Sequence, residues 1–219
     1  MNLKSFALKS CLLLPCFTFL ASCSGGSNDN EPTQEDAYPV VNRGDFESLR
    51  ATISTNGFPE LFTTGEPNEE ERASIRVYFD INEDGVISKD DLSLALSITV
   101  DAETRVESLT ASLYKELTDN PYSGVARLAN IEYEIIGNDL TFIVNKTDAE
   151  ELNGIGTMTP INVTYTISNL EFDRHSFDYI PDSRTFTQVQ NVSYVADALS
   201  DFSGSDSRVD IKAFRLELY

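Results

Sequence analysis

The segment SIRVYFDINEDGVISKDDLSLALSITV, residues 74–100, decides how the chain folds. Its two ends share one pattern. Ile75, Val77, Phe79 and Ile81 alternate with polar residues, and Leu92, Leu94, Leu96, Ile98 and Val100 alternate with Ser93, Ala95, Ser97 and Thr99. Successive side chains of an extended chain point to opposite faces, so a period of two marks a half-buried strand. The Ser, Thr, Ile and Val content after Leu92 suits a pleated surface. Between the runs lies DINEDGVISKDD, residues 80–91, with side-chain oxygens at Asp80, Asn82 and Asp84 and again at Ser88 and Asp91. The expectation is strand, oxygen-rich loop, strand.

The same period recurs outward from this segment. Ile131, Tyr133 and Ile135 alternate before GND, residues 137–139, and Leu140, Phe142 and Val144 alternate after it, which predicts a hairpin. Ile161, Val163, Tyr165 and Ile167 give another strand, and 109–117 and 186–195 two more. The last run changes phase, from Val209, Ile211 and Ala213 to Phe214, Leu216 and Leu218, as a β-bulge would make it do. Several strands separated by turn signals predict a mainly β chain, an antiparallel β-sandwich over residues 40–219. Helical spacing is confined to the start of that region. RGDFESLRATI, residues 43–53, puts Phe46, Leu49 and Ile53 on one helical face with Asp45 as a cap, and EPNEEERAS, residues 66–74, reads as a short acidic turn. One or two short helices are therefore expected near the N-terminus of the domain.

Calcium takes six to eight oxygen ligands in a flexible cage. Asp80, Asn82, Asp84, the carbonyl of Val86, Ser88 and Asp91 occupy positions 1, 3, 5, 7, 9 and 12 of such a loop, and Gly85 holds the sixth, where the chain must turn sharply. The loop resembles those of EF-hands and dockerin modules over about 13 residues. That resemblance implies Ca2+ as the cofactor and an inward-turned Ile87. Asp91 stands where an EF-hand has a bidentate Glu; dockerin loops use Asp there, and Asp90 is an adjacent substitute. The flanks depart further, since an EF-hand needs helices on both sides and works in pairs. DNPYSGVARLAN, residues 119–130, imitates the spacing but has Pro121 at its third position and no acid at its twelfth. The cation is therefore expected to fasten two strands and not to work a switch.

The N-terminus speaks to location. MNLKSFALKS carries Lys4 and Lys9 and no acid, and CLLLPCFTFLA supplies an apolar run too short to span a bilayer. The run ends in Leu20-Ala21-Ser22-Cys23, which resembles the lipobox of bacterial lipoproteins. The resemblance implies a signal peptide at 1–22 and a lipidated Cys23 at the new N-terminus, so that palmitate-type acyl chains hold the protein to the membrane. More than one acyl chain is what durable anchoring requires. Ser24 in place of Asp favours the outer membrane of a Gram-negative bacterium. Cys11 and Cys16 leave with the leader, so the exported domain would have no disulfide. SGGSNDNEPTQED, residues 24–36, has no apolar residue and reads as a tether within 23–39.

Charge and residue types exclude several functions. The formal charge is −20, with 36 acidic residues against 16 basic, which rules against nucleic acid as a partner. A nucleophilic triad or a zinc site needs imidazole or thiolate, and His175 is the single histidine. No catalytic residue is assigned, and the chain is not expected to be an enzyme. Arg43-Gly44-Asp45 is an adhesion tripeptide in other settings, and here Asp45 has the local use of a cap. The terminal FRLELY has the wrong phase for a barrel strand, because Glu217 lies two residues before Tyr219. The resulting expectation is a lipid-anchored, calcium-stabilised envelope protein that binds or supports another component. The alternative is a carbohydrate-active accessory lipoprotein that binds or hydrolyses glycan. Envelope proteins and glycans are the candidate partners; absence of Trp weakens the glycan reading, although the nine Tyr can substitute.

Overall fold

The computed structural model describes residues 39–57, 71–100, 107–119, 124–169, 174–180, 186, 193–197 and 200–219. Residues 1–38, which contain the lipobox and most of the tether, lie outside them.

Strands β1 (Ser48–Thr55), β2 (Glu71–Phe79), β3 (Leu92–Val100), β4 (Glu107–Glu116), β5 (Val125–Asn130), β6 (Glu132–Ile136), β7 (Asp139–Asn145), β8 (Ile161–Asn169), β9 (Arg174–Ile180), β10 (Tyr194–Ala196) and β11 (Ile211–Leu218) build two antiparallel sheets. One runs β10-β11-β1-β7-β6 and the other β5-β4-β3-β2-β8-β9. The inward rows are the alternating residues of the sequence. Ile75 lies opposite Leu96 on β3 and Tyr165 on β8, and Val77 opposite Leu94 and Val163. In the other sheet Ile53 lies between Phe214 and Leu140, and Ala51 between Leu216 and Phe142. These rows meet in one core cluster. The chain is the mainly β sandwich that the period of two predicts.

The hairpin β6–β7 turns through Gly137 and Asn138, with Gly137 at φ +60°, as a two-residue connection requires. The bulge is present as well. Ser54 pairs with Ala213 but Thr55 with Ile211, which leaves Lys212 extra and resets the phase before Phe214. Of the expected strand 186–195, only its end is seen in β10; residues 187–192 lie outside the described residues.

The helix over 43–53 is overturned. Residues 48–55 are β1, a central strand between β11 and β7. The helical spacing arose from adding Phe46, which precedes the strand, to Leu49 and Ile53. The buried row is Leu49, Ala51, Ile53 and Thr55, and Ala51 is too small to announce itself as apolar. Asp45 caps no helix there; its N–H donates to the carbonyl of Asn42 in a turn. In the second expected helical stretch, Glu71–Ser74 belong to β2 and residues 66–70 lie outside the described residues. The short helical segments that are described are 3-10 turns at Lys146–Asp148, Glu150–Gly154 and Ser207–Val209, away from the N-terminal region.

Burial should dominate stability. Phe142 is fully buried in β7, whereas Ile136 on edge strand β6 is 67% exposed. Phe142→Ala is expected to cost about 3–5 kcal/mol in urea unfolding, and Ile136→Ala less than about 0.5 kcal/mol. Equal costs would contradict the placement of the two sheets.

Candidate metal site in the acidic loop

The loop joins neighbours. β2 and β3 pair along their whole length, from Glu71 opposite Val100 to Phe79 opposite Leu92, and residues 80–91 leave and re-enter that ladder. Hairpin connections commonly use two to five residues. A longer excursion must brace itself, and this one does so with its own side chains.

Asp80 is buried, and its carboxylate accepts the N–H groups of Asp84 (3.2 Å) and Gly85 (3.0 Å). Asn82 Oδ1 accepts the N–H of Asp84 at 3.0 Å, and Asp84 Oδ1 accepts the N–H of Val86 at 2.9 Å. These successive local turns wind the loop around positions 1, 3 and 5, with the amide nitrogen of position 3 facing Asp84 and Ser88. Gly85 sits at φ +81°, in the left-handed region where a Cβ is disfavoured. Asp84 Oδ2 also accepts from Ser88 Oγ at 2.8 Å, and Asn82 Nδ2 donates to that same Ser88 Oγ at 2.8 Å. Asn82, Asp84 and Ser88 thus already converge.

Asp91 closes the loop. It is fully buried, and it accepts the N–H of Ile81 at 2.9 Å and of Ser88 at 2.8 Å. Burial pushes its carboxyl up to about 6, with the charges of Asp80 and Asp84 adding, against those two backbone donors. Burial likewise raises Asp80. Asp84 is held below the usual carboxylate range, first by the Val86 N–H. The inner acids are therefore poorly solvated anions that a cation would favour. Asp90, the substitute for position 12, instead pairs with Lys115 at 3.2 Å.

Neighbouring elements hold the loop in place. Arg43 donates to the carbonyl of Ile81 at 2.9 Å and pairs with Glu83 at 2.6 Å, so the arginine of the adhesion tripeptide is engaged here. Ile81 lies against Gly154, where a Cβ would come within 2.9 Å. The Asp80 N–H donates to the carbonyl of Pro160, and the Phe186 N–H to that of Gly85. Val86 is exposed, and Ile87 is half-buried against the outer face of the six-stranded sheet; neither belongs to the core between the sheets. His175 is exposed on β9.

A second acidic group was not singled out from the sequence. Carboxylate oxygens of Asp178, Asp197 and Asp201 all lie within 4.8 Å of one another and could hold a metal ion. Among the described residues, the loop acids do not form so tight a trio. Asp178 is buried, accepts the N–H of Ile211 at 2.6 Å, and is pushed up to about 6 by burial, with Asp201 and Asp210 adding. Its three acids come from β9 and from the stretch after β10, so no sequence spacing announces them.

Compared with protein-family models, curated proteins and solved structures, the chain matches none.

The loop geometry separates two roles for its acids. Asp91→Ala leaves two inner N–H groups without their acceptor and is expected to cost about 1–3 kcal/mol in chelator-treated protein. Asp84→Ala, at an exposed position, should cost under about 1 kcal/mol under the same conditions. Urea unfolding in chelator checks both, and a larger loss for Asp84→Ala would contradict the bracing assigned to Asp91.

Proposed function

We propose that the chain is a lipid-anchored envelope protein whose β-sandwich carries one calcium ion in the 80–91 loop, and that it acts as a non-catalytic binding or structural module. The observation that carries this reading is the ladder of Asp80, Asn82 and Asp84 around a left-handed Gly85, closed by Asp91. Asp80, Asn82, Asp84, the Val86 carbonyl, Ser88 and Asp91 would hold the ion. All are hard oxygens, and none is a nitrogen or sulfur ligand that would favour zinc. On binding, the Asn82 amide would turn its oxygen inward where Nδ2 now donates. The ion would offset the repulsion among three carboxylates and fix β2 to β3 at the loop end. The flanking elements are strands, so opening of a helix pair is not the mechanism.

Extracellular calcium modules bind at about 10⁻⁴–10⁻³ M. At a tenfold excess over such a Kd the stabilisation is about 1.4 kcal/mol, or a rise in Tm of about 3–5 °C for a domain of this size. Thermal melts in calcium and in chelator should show that rise in the wild type and lose it in Asp84→Ala. A melting temperature indifferent to calcium would refute the reading.

Anchoring is tested separately. Cys23→Ser should abolish labelling by radioactive palmitate and leave the leader uncleaved. Undiminished labelling would place the lipid elsewhere or nowhere. The non-enzymatic reading predicts no turnover on ester, peptide or glycan panels that His175→Ala removes.

A further inference from the structure

The outer face of the six-stranded sheet holds a cavity of about 630 Å³ beside the acidic loop. That volume lies within the range of small-molecule sites. Its floor is the outward row of two paired strands, where Arg76 of β2 stands opposite Thr164 of β8, and Tyr78 opposite Asn162. Tyr179 of β9, the register partner of Thr164, forms one side. Val86 and Ile87 of the loop form another.

Tyr179, half-buried, offers an apolar ring face with a hydroxyl edge, Tyr78 is itself buried in the floor, and Ser74, Thr164 and Thr166 add hydroxyls that both donate and accept. A ligand matching that lining has apolar C–H faces bordered by hydroxyl groups, which is the chemistry of a sugar. Charge narrows the choice further. Among the described lining residues Arg76 is the basic one, and its guanidinium donates to Tyr78 Oη at 3.0 Å and lies over the rings of Tyr78 and Tyr114, at 5.4 and 5.7 Å. Glu116, fully buried on β4, lies within the field of that guanidinium. Asp119 adds a negative charge to the lining, and the chain as a whole is at −20, which repels anions.

We infer that this cavity binds a neutral oligosaccharide, and that calcium in the loop strengthens the binding because Val86 and Ile87 are both loop residues and cavity wall. The inference rests on the calcium reading above and names the ligand class for that module. Ordering the loop orders one wall of the cavity before the sugar arrives, which lowers the cost of binding.

The test is calorimetric titration of the mature full chain with neutral trisaccharides of glucose, galactose, mannose and xylose, in α and β linkage, with a sialylated trisaccharide as the charged comparison. In calcium, at least one neutral sugar is expected to bind with a Kd below about 1 mM. Chelation or Asp84→Ala should weaken it about threefold or more. Tyr179→Ala should weaken it about tenfold or more, and Thr164→Val, which keeps the side-chain volume, should weaken it detectably. Both cavity variants should retain the calcium-dependent rise in Tm. No heat from any neutral sugar while that rise is present would overturn the site and leave the calcium reading standing, as would preference for the sialylated sugar or indifference to both cavity variants. Sugar binding indifferent to calcium would overturn the coupling. Loss of the Tm rise in the wild type would overturn the calcium reading itself.

Discussion

A single buried carboxylate sets the geometry on which the rest depends. Asp91 stands where the loop re-enters the sheet, and its side chain ties Ile81 and Ser88 to that point. Its own carbonyl accepts the N–H of Glu116, which extends the tie to β4. Without such a knot, a long excursion between paired strands would leave the register of β2 and β3 to the core alone. With it, Phe79 is held opposite Leu92, and the inward rows of both strands meet the core in phase. A slip of one residue would turn every one of those side chains to the other face. β2 and β3 are inner strands of their sheet, and β8 and β4 pair against them along their length.

The strands were legible because burial on one face imposes a period that sequence records directly. Leu92 to Ile98, Ile161 to Ile167 and Leu140 to Val144 needed no further signal. Even the bulge could be read, since Lys212 displaces the apolar phase at Ala213 and Phe214. β1 was misread for a physical reason: one core residue just outside the strand, Phe46, completed a helical spacing, and a small one inside it, Ala51, hid the alternation. Local periodicity does not distinguish those cases; pairing with β7 and β11 does. The order of strands in each sheet was not readable either, because β1 pairs with β7 and β11, both far from it in sequence.

The loop was legible for a different reason. Its ligand candidates lie within twelve consecutive residues, so spacing alone nominates them. The bracing role of Asp91 was not visible, since Asp at that position reads as one more ligand until its two backbone donors are seen. The cluster of Asp178, Asp197 and Asp201 and the cavity lined by Arg76 and Tyr179 are assembled from distant segments by the sheet, and only the fold brings them together.

Two acidic groups are candidates for a divalent cation, the tight trio of Asp178, Asp197 and Asp201 and the 80–91 loop, and the proposed calcium site is the loop. The most direct measurement is calorimetric titration of calcium into chelator-treated protein. A calcium site in the loop should take up about one equivalent at millimolar or tighter affinity, lost in Asp84→Ala and retained in Asp201→Ala. No uptake by the wild type, or uptake that survives Asp84→Ala and disappears in Asp201→Ala, would contradict it.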